Sequence, residues 1–257
     1  VATGVKLADG RVFNAKRAVI ANLAPQALFG RLVPNAAVPS GFSRRIRSFK
    51  YGPGTMMIHL ALSDLPEWRA SSALKTFAYV HVAPYLSDMA QAYNDAMNGL
   101  LPASPVIVVG QPSAIDPSRA PDSQHVLWLQ VRVLPGKIRG DAGGTISAMD
   151  WAGAKEAYAD RVIEKLTSYA PNLPGTILDR AIYSPTDLEQ DNPNLVGGDN
   201  LAGSHHLRQN FLFRPVLGWS RYRMPIEHLY MVGASTWPGA GTGAGSGQLL
   251  GKMLSQK

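Results

Sequence analysis

The sequence predicts a mixed α/β fold of the α+β kind. Three observations carry that prediction: both ends are rich in short strand-like runs, the middle reads as antiparallel strands, and a few long segments repeat their apolar residues at helical spacing.

"VKLADGRVFNAKRAVIANL" opens with two short alternating runs about Asp9-Gly10, a dipeptide suited to a tight hairpin. "RAVIAN" is a continuous apolar run, read as a strand buried on both faces. "PQALFGRLV" (25–33) predicts a short helix with Pro at its start, and a second short helix carries "SRRIRSFK". Strands are expected at 54–63, 76–83, 105–111 and 124–133, with a helix over "YLSDMAQAYNDAMNGL". "DWAGAKEAYADRVIEKLTSYAPNLPG" (150–175) is the clearest helix, capped by Asp150, with Ala154, Ala157, Tyr158, Val162, Leu166 and Tyr169 on one stripe. "TILDRAIYS" reads as a further strand, and 185–215 as mostly loop. Ala18–Asn22 and Leu229–Gly233 are expected to lie side by side in one small sheet, and the middle strands to form a separate sheet with one apolar face.

At 257 residues the chain can build one large domain or two small ones. An apolar fraction of 46% with 17% charged residues is ordinary for a globular protein, and no run approaches the ~20 apolar residues of a membrane helix. The absence of Cys excludes disulfides, thiolate metal sites and Cys nucleophiles, and fits a reducing, cytoplasmic compartment. The amino-terminal "VATGVKLADGR" has no signal-peptide pattern and reads as the middle of a protein. The formal charge is +7, with its densest cluster at Arg44, Arg45, Arg47 and Lys50. A solvated helix face accounts for such a cluster, and attraction to anionic lipid or a phosphate-bearing partner is the alternative. No nucleic-acid motif accompanies it, and nucleic acid is not expected as a partner.

"LYMVGASTWPGAGTGAGSGQLLGKML" (229–254) poses the functional question. A P-loop fails, because Ser246 stands where its first Gly belongs and Met253 where its hydroxyl belongs. Gly239–Ala244 matches G-x-G-x-x-A, yet only 13 residues follow Ala244 and none is acidic. The loop is therefore not the first βαβ unit of a dinucleotide fold. A strand, a glycine loop and a final helix against a ligand remain. His205-His206 gives a weak metal signal without a flanking carboxylate, and no metal is expected. Ser235-Thr236 lacks a nucleophile elbow, and Asp187 and Glu189 read as loop acids.

These residues carry a resemblance. "LYMVGASTWPGAGTGAGSG" is similar to the carboxy-terminal flavin motif of phytoene-desaturase-like FAD-dependent oxidoreductases, relatives of the amine oxidases. "FLFRPVLGWSRYRMPIEHLY", "GGDNLAGSHHLRQN", "PSAIDPSRAPDSQHVLWLQV" and "GVKLADGRVFNAKRAVIANLAP" resemble further segments of that family, in the same order along nearly the whole chain. The pattern is nearest to bacterial relatives of the pyridine nucleotide-disulphide oxidoreductase domain-containing type. Trp237, Ala240 and Ala202 depart from it.

The resemblance implies the carboxy-terminal part of a flavoprotein, truncated after its amino-terminal dinucleotide unit. Residues 1–40 and 216–257 would then be the remnant of an FAD-binding, Rossmann-like domain, and 41–215 the substrate domain. FAD would be met by Gly233, Ala234, Ser235, Thr236, Gly239, Gly241, Thr242, Gly243 and Ala244, and a small apolar substrate by Arg214, Trp237 and His205. The reaction implied is hydride transfer between substrate and flavin, with no side chain assigned as acid or base and the fragment alone inactive. The partners implied are the amino-terminal FAD-binding half of the same protein and, as an expectation, a membrane surface. The alternative is a non-catalytic binding module that retains the fold.

Overall fold

The computed structural model describes residues 1–34, 37–241 and 243–256. In chain order it begins with β1 (Gly4–Lys6), β2 (Val12–Asn14), β3 (Val19–Ala21), α1 (Pro25–Ala27, continued by a π turn at Leu28–Leu32) and α2 (Ser40–Arg47). The middle holds β4 (Gly54–Leu62), β5 (Tyr79–Val82), α3 (Leu86–Met97), β6 (Leu100–Leu101), β7 (Val106–Gly110), α4 (Pro112–Ile115), β8 (His125–Leu134) and β9 (Gly140–Asp141). Then follow α5 (Trp151–Thr167), α6 (Leu173–Thr176), β10 (Ile177–Tyr183), α7 (Pro185–Asp191), β11 (Leu229–Met231) and α8 (Gly245–Ser255). Helices and sheets are mixed, as an α+β chain requires.

The chain divides into two units. A terminal unit contains 1–52, 193–196 and 201–257, and a central unit contains 53–192 and 197–200. The sequence suggests boundaries at 40 and 216 instead. Residues 41–52 and 201–215 fall with the terminal unit because Phe42 and Ile46 of α2 pack with Phe29, Val216, Met224 and Met231 in one buried cluster. The rings of Phe29 and Phe42 meet edge-on at 4.7 Å, and Phe42 meets Trp219 at 5.4 Å.

In the terminal unit β1 and β2 form the expected antiparallel hairpin, and β3 pairs in parallel with β11, Val19 opposite Leu229. The apolar run at Ala18–Asn22 suggests burial on both faces. Instead Ile20 is 52% exposed while Ala21 is buried, because among the described residues one face of the β3–β11 sheet is left uncovered.

The central unit is built on a five-stranded antiparallel sheet in the order β10-β4-β8-β7-β5. Strand alternation puts Met56, Ile58, Leu60 and Leu62 on the same side as Leu127, Leu129, Val131, Ile107 and Val109. These form one buried cluster with Trp151, Ala154, Tyr158, Val162 and Leu166 of α5. Asp150 caps α5 as expected, its Oδ1 accepting from Gly153 N at 2.8 Å. The stretch from 185, loop-like in sequence, holds α7, started by a capping box in which Ser184 and Asp187 bond each other's backbone N–H.

Asp141 ties β9 to α5. Arg161 donates to both its carboxylate oxygens at 2.7 and 2.6 Å, with the Asp141 side chain only 2% exposed. Burial alone would raise the carboxyl, but Arg161 and the N–H groups of Ile146, Thr145 and Gly143 outweigh it and hold the group far below the usual carboxylate range. A depressed folded value means stability that is present above the unfolded value of about 3.9 and is lost as pH falls below it. Asp141→Asn is expected to lower unfolding free energy by about 3 kcal/mol at pH 7, the cost of breaking a buried pair. In urea titrations the gap between wild type and variant should narrow by about 1.4 kcal/mol per pH unit below about 3.9. A gap that does not change with pH would contradict this account.

Candidate functional site

The glycine loop of the terminal unit starts where β11 ends. Gly233 has φ +95, and a Cβ there would stand 1.9 Å from Asn22 Oδ1, so only glycine lets the chain pass Asn22. The Ser235 and Thr236 side chains turn inward. Ser235 Oγ donates to Ala202 O at 2.8 Å and Thr236 Oγ1 to Gly233 O at 2.8 Å, both residues being buried.

Arg214 organises the loop. It is wholly buried, and its guanidinium donates to the carbonyls of Ala234 (2.9 and 2.7 Å), Ser204 (3.1 Å), Ala202 and Gly203 (both 3.3 Å). The Phe49 ring lies 6.0 Å below it. The sequence resemblance groups Arg214 with the substrate residues. In the structure its guanidinium joins 202–204 to Ala234.

His205 and Arg214 converge on one point, since a Cβ on Gly239 would stand 3.2 Å from His205 Cε1 and 3.7 Å from Arg214 Nε. Trp237 stacks against Phe211, with ring centroids 4.7 Å apart at a tilt of 31°. Its carbonyl accepts from Tyr222 Oη at 3.0 Å, and burial raises the Tyr222 phenol. Beyond Gly239 the loop opens. Gly241 (φ +81) and Gly243 (φ +57) have nothing within 4 Å of a Cβ, nor does Gly247 in the first turn of α8. Ala244, the N-cap, supplies no side-chain cap, so the start of α8 faces this open ground with its backbone N–H groups. Thr242 lies outside the described residues.

Three of the six described non-glycine residues with positive φ touch this loop: Ala202, Phe211 and Tyr222. Such backbone gathers at functional sites because it is kept only where its surroundings enforce it. Among the described residues no three of His, Asp and Glu gather as a metal would need, and His206 Nδ1 accepts from Arg208 N at 3.3 Å.

The central unit carries a second feature. On the face of the sheet turned away from α5, one registered row crosses all five strands: Ala181, His59, Trp128, Gly110 and Tyr79. Trp128 lies across Gly110, where a Cβ would come within 2.1 Å of its ring, and meets Tyr79 at 5.4 Å. Tyr183 meets His59 edge-on at 5.9 Å. The result is a half-exposed aromatic surface.

No protein-family model matches the chain. Over 256 residues it is 31% identical to pyridine nucleotide-disulfide oxidoreductase domain-containing protein 2 of Mus musculus, covering 96% of this chain and 42% of that protein. It is 27% identical over 253 residues to the phytoene desaturase of Fusarium fujikuroi (93% of this chain, 41% of that protein). Over nearly its whole length the chain is similar to oxidoreductases of the phytoene-desaturase-like kind. A crystal structure of an oxidoreductase from Methanosarcina mazei shares the fold, with a TM-score of 0.53 at 15% identity over 99% of this chain and 46% of that one. The chain thus spans somewhat under half the length of the relatives it matches.

In this desaturase-like chain the structure brings together Gly239, His205 and Arg214, and separately leaves open space at Gly241 and Gly243. Sequence reading misses Phe211, Tyr222 and Phe49, which wall and brace the loop, and the aromatic row with them. Phe211 and Tyr222 stand inside the quoted "FLFRPVLGWSRYRMPIEHLY" and were there to be found; the row depends on strand register, which has no local signature.

Proposed function

We propose that this chain supplies the flavin-end and substrate-facing parts of an FAD-dependent oxidoreductase acting on a small apolar molecule. The observation that carries the reading is the open ground at Gly241 and Gly243, where nothing lies within 4 Å of a Cβ, in a loop whose beginning at Ala234 is held by Arg214. That ground fits the flat ring of a flavin, since a Cβ at Gly241 or Gly243 would occupy it. When bound, FAD supplies hydride acceptance from a substrate carbon.

The chain's own residues position and polarise. The N–H groups at the start of α8 offer partial positive charge to a carbonyl or developing anion at the ring. Arg214 keeps Ala234 and the loop at 202–204 in register, so the loop does not have to be ordered when a ligand arrives. Trp237 and Phe211 form an apolar wall that excludes water on that side. The aromatic face holding Trp128, Tyr79 and His59 suits a flat apolar substrate. The exposed Ile20 face of the parallel β3–β11 sheet supports its being covered by a further part of the gene product, because parallel pairs are rarely left with an open face.

The test uses the gene product that carries these residues. It should copurify with flavin absorbance, and Gly241→Val should lower flavin content at least about tenfold, 1.4 kcal/mol of lost fit, without changing far-ultraviolet circular dichroism. A flavin-free product that cannot be loaded with FAD, or a Gly241→Val variant with full flavin content, rules the reading out.

A further inference from the structure

At the Tyr79 end of the aromatic row lies a cavity of about 250 Å³, lined by Tyr79, Pro112, Ile115, Asp116, Arg119 and Trp128, among others. Buried hydrogen bonds hold this lining. Gln111, wholly buried, donates from its backbone N–H to Ala78 O at 2.8 Å and from Nε2 to Leu74 O and Phe77 O at 2.8 and 2.7 Å. Its Oε1 accepts from Trp68 Nε1 at 3.1 Å. Ser113, also buried, accepts from Val126 N at 3.2 Å. The start of β5 and strand β8 are thereby tied to α4, so the cavity does not have to be ordered when a ligand enters.

The wall and the rim differ in character. Trp128 lies across Gly110, with Tyr79 at 5.4 Å, so the wall is flat, aromatic and backed by main chain. The rim is a charged pair, in which Arg119 Nε donates to Asp116 Oδ2 at 3.1 Å. Asp116 is already well used, since its Oδ1 also accepts from Ser118 N and Oγ at 3.3 and 2.6 Å. The donors are not. Among the described residues neither the two terminal NH2 groups of Arg119 nor Trp128 Nε1 has an acceptor. A local turn explains why Asp116 meets Ser118 and Arg119. It does not explain spare donors beside an aromatic wall.

We propose that this cavity receives the carbonyl end of a flat aromatic or conjugated substrate, whose body lies against Trp128 and Tyr79 and whose oxygen accepts from the Arg119 guanidinium. A space of about 150 Å³ is enough for benzene, so the cavity has room for a ring and a small substituent. The charge balance of the rim decides the class. A carboxylate would add a second negative charge beside Asp116, and a cation would meet Arg119 and find the carboxylate oxygens in use. A carbonyl takes up a spare charged donor and brings no charge of its own. The inference rests on the reading of the Trp128, Tyr79 and His59 face as the substrate surface, and adds to it an oxygen-bearing end and the residue that recognises it.

The test is fluorine NMR of the full gene product labelled with fluorotryptophan, the Trp128 signal being the one that Trp128→Phe removes. Acetophenone should move that signal and bind at least about tenfold more tightly than toluene, the worth of a hydrogen bond to a charged group. Arg119→Met should bring acetophenone down to the toluene level and leave toluene unchanged. Arg119→Lys, which keeps a charged donor, should retain most of the preference. Circular dichroism should not change in either variant, because both side chains of the pair are about half exposed or more. Benzoate and benzylammonium should each bind more weakly than acetophenone. A Trp128 signal that ignores acetophenone up to its solubility, equal affinity for acetophenone and toluene, full acetophenone affinity in Arg119→Met, or benzoate as the tightest probe overturns the proposal. Flavin absorbance of the same samples separates the two readings. A flavin-free product whose Trp128 signal responds as stated removes the flavin reading alone, and a flavin-loaded product blind to acetophenone removes this one alone.

Discussion

Titrating residues 1–257 alone with FAD, followed by flavin fluorescence and absorbance, is expected to give binding about a thousandfold to a millionfold weaker than that of the whole gene product, the worth of about three charge-assisted hydrogen bonds at 1.5–3 kcal/mol each. A dinucleotide's pyrophosphate and ribose are held by a strand, a glycine turn, a helix N-terminus and an acid about 20 residues on. On the function proposed above, Gly239, Gly241 and Gly243 meet the flavin end, and the pyrophosphate and ribose are held by other residues of the gene product. Stoichiometric binding at micromolar FAD by the 257 residues would mean that the chain carries a complete dinucleotide site. The account of the Gly241–Gly243 ground as a partial one would then be abandoned.

Replacing Arg214 with Ala should destabilise the terminal unit by about 3–5 kcal/mol, the usual cost of removing one partner from a buried charged network. The loss leaves the carbonyls of Ala202, Gly203, Ser204 and Ala234 without this donor and opens a space beside Phe49. Arg214→Lys should recover less than half, since an ammonium cannot fan out to carbonyls on both sides. The central unit has its own buried cluster, so thermal unfolding of Arg214→Ala should separate into two transitions with the Trp151 core melting second. A variant that melts as one step at the wild-type temperature would deny Arg214 this role.

What the sequence made legible was local. The Asp9-Gly10 hairpin, the Asp150 cap and the stripe through Tyr158 and Leu166 each depend on a few neighbouring residues, and each is present. The pairing of Val19 with Leu229 was also readable, because short apolar runs that end in glycine or a polar residue suit parallel strands. Helix α7 escapes such a reading although Ser184 and Asp187 spell its capping box, since the surrounding "PTDLEQDNPN" lacks an apolar stripe. The site was half legible. Glycines announce themselves, but the convergence of His205 and Arg214 on Gly239 joins segments some 25–34 residues apart and has no local sign. The charge of Arg214 likewise said nothing about its direction; burial and backbone geometry decided that it faces carbonyls.

The terminal unit is made from both ends of the chain, and this has a consequence during synthesis. Strand β3 leaves the ribosome 210 residues before its partner β11, the separation between Val19 and Leu229. At ribosomal speeds of about 5–20 residues per second, it waits roughly 10–40 s with its apolar edge unpaired. The central unit can complete its sheet in that interval, since all five strands lie between 54 and 183. A nascent chain stalled after residue 200 would therefore present a folded middle and an adhesive beginning, the state in which a holding chaperone has most to protect.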